Sequence, residues 1–144
     1  MLLSEIESLW AEDAKIDETR LDHESLKTSQ LHSKYYKIFS EERGRLWSMQ
    51  AEFKQLKLEK QVFLMEGPTE EQHKAGWVLP ARGKVIRQDV PMYLDADPQI
   101  IEAGRKLEYQ NEKINLLESI IDSLNRRSYS IKNAIAFMQW TQGG

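Results

Sequence analysis

The chain has no cysteine, which excludes a disulfide framework, a thiolate-bound metal and a thiol nucleophile. It also lacks any run of about eighteen apolar residues, the length that a membrane-spanning helix requires. Its first residues show neither the basic segment nor the apolar core of a signal peptide. We therefore expect a cytoplasmic protein whose partners do not include a membrane.

Sequence motifs of catalysis are missing as well. There is no phosphate-binding G-x-x-x-x-G-K-S/T, no dinucleotide-binding G-x-G-x-x-G and no metalloprotease H-E-x-x-H. His23 and His32 lie nine residues apart and so fall on different faces of one helix. Glu70 and His73 have the spacing of half a di-iron site, but the other contributions are missing. We expect a protein that is not an enzyme, with no catalytic residue, no metal and no cofactor.

Proline is scarce and is confined to one part of the chain. The four prolines lie at Pro68, Pro80, Pro91 and Pro98, with Gly67, Gly76 and Gly83 close by. The sequence therefore divides into a helical region at 1–66, a connector at 67–97 and a C-terminal helix at 98–144, all within one domain. Inside the connector we expect a short helix or a small strand pair around 77–79 and 85–86, then a helical turn near 92–94.

Residues 98–140 predict one long helix. Asp97 can cap its first amide groups, Pro98 occupies the first helical position, and Gly143 with Gly144 ends it. At about 1.5 Å per residue this helix is roughly 60 Å long, too long for a compact domain to cover its whole apolar seam. We expect the seam to bind other copies of the chain through residues at heptad spacing: Leu107, Ile114, Leu117, Ile121, Leu124, Ile131, Ile135 and Met138.

Two more helices are predicted before the connector. A short amphipathic helix covers residues 4–15, and a long one covers residues 18–65, with Asp17 as its N-cap and Gly44 at a bend or close contact. The predicted fold is all-α, with two long antiparallel helices in a helical hairpin or coiled coil, a short N-terminal helix and a structured connector. We expect it to assemble as a helical homo-oligomer. The alternative is a monomer in which the first helix and the connector cover the remaining apolar residues.

The net charge of -3 conceals blocks of opposite sign. Residues 1–25 hold eight acids and two bases, whereas residues 26–88 hold twelve bases and seven acids. Residues 73–88 contain four bases and no acid, with an aromatic ring among them. That composition is typical of single-stranded DNA binding, in which cations bind phosphates and bases stack on rings. The candidate DNA-binding residues are Lys54, Lys57, Lys60, Lys74, Trp77, Arg82, Lys84, Arg87, Arg126, Arg127 and Lys132.

A plainer interpretation remains open for these residues. The lysines spaced three apart from Lys54 can form a solvated helix face, with Glu52 and Glu59 as ion-pair partners. Trp77 can fasten the connector onto the helices. Both interpretations predict the same sequence pattern, so only the positions of the side chains separate them.

Three runs of residues resemble the UvsY-type recombination mediators of phages. They are Ile16-Asp17-x-Thr19-x-Leu21, Leu31-His32-Ser33-Lys34-Tyr35 and Arg127-Ser128-Tyr129-Ser130-Ile131-Lys132-Asn133. A basic Leu-Lys-x-Arg segment of that family is implicated in DNA binding. The matching stretch here keeps Lys57, has Glu59 in place of the arginine and places Lys60 next to it.

This resemblance implies a non-enzymatic oligomer, a ring of six or seven copies, that acts in the cytoplasm of the phage's host. It implies binding to single-stranded DNA, displacement of the single-strand-binding protein and loading of a recombinase of the RecA/UvsX type. It also implies that the C-terminal part of the chain drives oligomerisation. The alternative is a coiled-coil adaptor or scaffold that binds protein helices and no nucleic acid.

Overall fold

The computed structural model describes residues 1–143, and every regular element in that range is helical. The elements are α1 (Leu3–Asp13), α2 (Leu21–Glu66), α3 (Glu70–Lys74), a 3-10 turn (Arg87–Asp89), α4 (Val90–Asp95) and α5 (Pro98–Gly143). The predicted all-α fold with two long helices is confirmed. Neither the short helix nor the strand pair expected around 77–79 and 85–86 is present, and no strand occurs among residues 1–143. The connector's α-helices are α3, which lies before these positions, and α4, which matches the turn expected near 92–94.

The start of α5 follows from its first residues. The Asp97 carboxylate accepts hydrogen bonds from the backbone N–H groups of Gln99 at 2.9 Å and Ile100 at 3.1 Å. Pro98, which has no N–H to satisfy, is the first residue of the helix. The cap predicted from the sequence is confirmed. The predicted stop was Gly143 with Gly144, but Gly143 is still helical, and Gly144 lies outside the described residues.

The start of α2 was predicted three residues too early. Asp17 does not cap this helix, because its carboxylate accepts hydrogen bonds from the Thr19 backbone N–H at 3.0 Å and hydroxyl at 2.6 Å. That local turn delays the helix to Leu21. At the other end, Gly67 has a φ of 92°, a value that glycine adopts readily and that ends the helix.

The structure groups the chain into two compact units, which differ from the three regions read along the sequence. The first unit combines Met1–Arg45 with the chain from Gln110 onward. Within it α2 and α5 are antiparallel, because Glu24 contacts Arg127 whereas Glu42 contacts Gln110. The second unit is Leu46–Tyr109.

Within the first unit, apolar and polar contacts hold helix α1 against α2. Ile6 is fully buried, and the ring of Trp10 meets that of Tyr35 edge-on at 5.4 Å between centroids. Asp13 accepts hydrogen bonds from the Tyr35 hydroxyl and from Lys34, both at 2.7 Å. Burial raises the pKa of Asp13, but these two bonds outweigh it and hold the pKa below 3.8.

The apolar seam of α5 is largely covered within a single chain. Ile114, Leu117, Leu124 and Ile131 are at most 7% exposed. Ile121, Ile135 and Leu107 are half-buried, and only Met138 of the predicted set is exposed. The expectation that this seam stays uncovered until other copies bind is therefore wrong, because the chain's own residues bury most of it. Of the two roles expected for Gly44, a bend or a close contact, the close contact is not found, since a Cβ there would meet nothing within 4 Å.

The second unit has its own small apolar core. Phe63 and Leu64 at the end of α2 pack with Val85 and Val90 of the connector. The Val85 backbone N–H donates to the Leu64 carbonyl at 2.8 Å, which ties the connector to the helix. Among residues 1–143 there is no helix with both the length and the apolar character needed to cross a membrane.

Candidate nucleic-acid interface

Six of the predicted cations are exposed on the second unit. Lys54 and Lys57 belong to α2, and Arg87 opens the 3-10 turn. Lys74 is the last residue of α3, and Arg82 and Lys84 lie between α3 and that turn. We call these six residues the basic face, a name for their shared charge and exposure, and two of them, Lys57 and Arg87, line one groove. Their exposure leaves the charges available to a polyanion in solvent.

The structure brings Lys57 and Arg87 to one groove, although thirty residues separate them along the chain. The groove has a volume of about 250 Å³, and Gln61, Pro91 and Asp95 also line it. It thus offers two cations, one amide and one carboxylate, together with apolar surface from α4. Two cations against one acid favour an anion such as a phosphate diester over a cation.

Lys57 makes a further contact on its own helix. Its ammonium group lies 4.9 Å from the centroid of the Phe53 ring, one helical turn earlier. This cation–π contact holds the lysine against the helix surface. Phe53 was not among the candidates predicted from the sequence, although an aromatic residue four positions before a lysine is visible there.

Lys60 does not belong to the interface. Its side chain is buried and forms an ion pair with Asp97 at 3.1 Å. The same ammonium group lies 3.9 Å from the centroid of the Trp77 ring. Because these contacts within the second unit occupy Lys60, we exclude it from the set of DNA-binding candidates.

The ring of Trp77, like the side chain of Lys60, makes contacts within the second unit. Its ring meets Phe63 edge-on at 5.2 Å and packs against the core of the second unit. The ring is therefore engaged by Phe63 and Lys60 rather than presented to solvent. The plainer interpretation, that Trp77 fastens the connector onto the helices, describes this residue.

The predicted cations near the C-terminus are divided. Arg126 and Lys132 are exposed on the first unit, but Arg127 is only 5% exposed. Arg127 pairs with Glu24 and donates from Nε to the Thr28 hydroxyl at 3.1 Å. We therefore exclude Arg127 as well, because its charge is already balanced inside the protein.

Among residues 1–143, no group of three or more histidine, aspartate or glutamate side chains is arranged to hold a metal ion. The candidate site consists of exposed cations, of which Lys57 lies beside the Phe53 ring. Such cations can bind an extended polyanion without covalent chemistry.

An all-helical chain with an exposed basic face has the build of a nucleic-acid-binding protein. Residues 9–144 match the family described as recombination, repair and ssDNA binding protein UvsY, and the chain belongs to this family. Membership places it among recombination, repair and single-stranded-DNA-binding proteins of phage type. No curated protein matches the chain.

Solved structures show the same fold. The crystal structure of the bacteriophage T4 recombination mediator protein UvsY in lattice type II has a TM-score of 0.81 at 20% identity, covering 100% of this chain and 99% of that one. Lattice type IV gives 0.79 at 17% identity, with 98% and 99% covered. Lattice type I gives 0.79 at 18% identity, with 95% and 98% covered. At these identities the likeness concerns the fold.

Proposed function

We propose that this chain is a recombination mediator that binds single-stranded DNA through the basic face of its second unit. The proposal rests on the observation that Lys57 and Arg87 both line one groove, in a chain that belongs to the UvsY family. On this proposal, the protein loads a recombinase of the RecA/UvsX type in place of the single-strand-binding protein. The T4 relative is likewise named a recombination mediator protein.

Weak and numerous contacts suit a protein that must pass its strand on. Each phosphate contact made by a lysine or arginine releases counterions and is sensitive to salt. Several copies of the basic face on one oligomer bind a strand with high avidity, although each copy binds weakly. A recombinase can then displace the contacts one at a time. This sequence of steps requires an oligomer.

The surface that we propose for assembly is the end of α5. Phe137 is 64% exposed, Trp140 is 75% exposed, and Met138 lies between them. The rings of Phe137 and Trp140 are 6.5 Å apart and share one side of the helix. Exposed apolar residues of this size, grouped together, mark a protein interface. A ring of six or seven copies is the assembly that we infer from the family resemblance.

Binding is tested by titrating a fluorescent single-stranded oligonucleotide at several salt concentrations. Each phosphate contact to a single strand contributes about -0.7 to the slope of log K against log salt. Replacing Lys57 and Arg87 with alanine should therefore weaken binding and reduce the steepness of the slope by about 1.4. Lys37→Ala, which removes an exposed lysine of the first unit, is the matched control and should leave the slope unchanged.

Mediator activity needs a separate assay, in which a recombinase hydrolyses ATP on DNA already covered by a single-strand-binding protein. We expect the parent to shorten the lag before hydrolysis and the double variant to do so less. A parent that binds no oligonucleotide at low salt would contradict the proposal and favour the adaptor alternative. Normal binding without any change in the lag would reject the loading role alone.

A further inference from the structure

A second groove in the second unit lies next to Lys57 and differs from the basic face in character. It has a volume of about 530 Å³, and its walls come from α2 and the first part of α5. Met49, Phe53 and Leu56 form one wall, and Ala103 and Leu107 belong to the other. The groove is therefore mainly apolar, and it includes an aromatic ring.

Phe53 connects this groove to the proposed phosphate contacts. Its ring lines the groove, and the Lys57 ammonium lies 4.9 Å from the ring centroid. Lys57 does not line the apolar groove itself but lines the groove that contains Arg87. The lysine thus stands between the two grooves, and a strand whose phosphates contact Lys57 has its bases within reach of Phe53.

The charges at the apolar groove determine which part of a nucleotide can enter. Glu52 and Glu102 line it and are exposed, whereas Lys106 is the one cation among its lining residues. Two acids against one base disfavour a phosphate there. A neutral, flat, apolar group is favoured, which is the character of an unstacked nucleobase.

We propose that the apolar groove binds unstacked bases of single-stranded DNA, with Phe53 as the ring on which a base stacks. This inference rests on the proposed function, since it assigns a base-binding site beside the phosphate contacts. It gives Phe53 the role that the sequence suggested for Trp77, whose ring is used in the core of the second unit. Stacking on an aromatic ring is tolerant of sequence because every base has an apolar face.

The test compares oligo(dT) with an oligomer of the same length that carries abasic sites. Both strands present the same phosphates, so the ratio of their affinities reports base contacts alone. Phe53→Leu, which keeps an apolar side chain but removes the ring, should lower the affinity for oligo(dT) about tenfold and leave that for the abasic strand unchanged. Tyr129→Leu removes an exposed ring outside the groove and outside the proposed assembly surface, and is the matched control.

Two further measurements keep the inference separate from the proposed function. The Lys57/Arg87 double alanine variant should lower the affinity for both strands by the same factor. An error in the proposed phosphate contacts and an error in the proposed base site would therefore give different results. Phe53→Trp keeps an aromatic ring and should therefore retain the parent's affinity ratio. The fluorescence of the added tryptophan should be quenched by oligo(dT).

An unchanged ratio in a folded Phe53→Leu variant, with circular dichroism and thermal melting like the parent's, would overturn the inference. A changed oligomer mass together with an unchanged ratio would also overturn it, and would assign the groove to a contact between copies. If Phe53→Leu fails to fold, the fluorescence of Phe53→Trp decides: no quenching by oligo(dT) rejects the site.

Discussion

Arg127 on α5 and Glu24 on α2 form a buried ion pair between residues that are 103 positions apart in the sequence. Arg127 also donates to the Thr28 hydroxyl, and the side chains of both charged partners are at most 7% exposed. A buried pair of this kind fixes the register of two antiparallel helices, because a shift of one turn would leave both charges buried and unpaired.

Breaking that pair should destabilise the protein strongly. Glu24→Gln leaves the Arg127 charge buried without its counter-charge, and we expect the free energy of unfolding to fall by about 3–5 kcal/mol. Urea denaturation followed by circular dichroism measures the change. Glu118→Gln, which alters an exposed acid on α5, should stay within about 0.5 kcal/mol of the parent. Equal effects of the two substitutions would contradict the structural role of the pair.

Acid sensitivity should depend on Glu42. Burial raises the pKa of Glu42, but the hydrogen bond from Gln110 at 2.8 Å and the charge of Lys113 outweigh it, so the pKa lies below 4.5. A carboxyl whose pKa is lower in the folded state contributes stability above the unfolded pKa. That contribution is lost as the pH falls through the folded pKa.

The melting temperature of the parent should therefore decline as the pH falls below about 4.5, and that of Glu42→Gln should decline less steeply. Thermal melts between about pH 6 and pH 3 provide the measurement. Asp13, whose pKa is also lowered, remains in the variant and keeps part of the slope. Parallel pH profiles for parent and variant would mean that Glu42 is not responsible.

Two glycines inside long helices should be replaceable with a gain in stability. A Cβ at Gly44 or Gly104 would meet nothing within 4 Å. Alanine at either position should therefore raise the free energy of unfolding by about 1 kcal/mol, the difference in helix propensity. Gly67→Ala is the contrasting variant, because its φ of 92° strains an alanine and should lower stability. A loss of stability in Gly44→Ala would indicate a contact that glycine alone permits.

Assembly and folding should respond to different parts of α5. Replacing Phe137 and Trp140 with aspartate should reduce the oligomer mass measured by light scattering while leaving the helical content intact, because both side chains are exposed in the single chain. Leu117→Ala should instead lower the free energy of unfolding by about 2–5 kcal/mol, since Leu117 is fully buried. An unchanged mass in the double aspartate variant would remove the end of α5 from the proposed interface.

Local signals in the sequence identified α1 and the two long helices, but they did not place α3. Asp97 and Pro98 define the start of α5 through interactions with their immediate neighbours, and glycines with prolines mark the connector. The predicted start of α2 was too early. Asp17 is a residue type that often caps helices, but its carboxylate accepts a hydrogen bond from Thr19 in a local turn instead. Such local competition between two hydrogen-bonding patterns is invisible in composition and spacing.

The sequence by itself determined that this chain is all-helical, that its basic residues concentrate before position 89, and that it resembles the UvsY family. Tertiary structure alone decided which charges stay available. Lys57 and Lys60 look alike in sequence, yet Lys57 is exposed while Lys60 is buried against Asp97 and Trp77. The tertiary structure likewise decided that residues of the same chain cover the apolar seam of α5. The physical reason is that burial depends on residues far apart in sequence, whereas helix formation depends on neighbours.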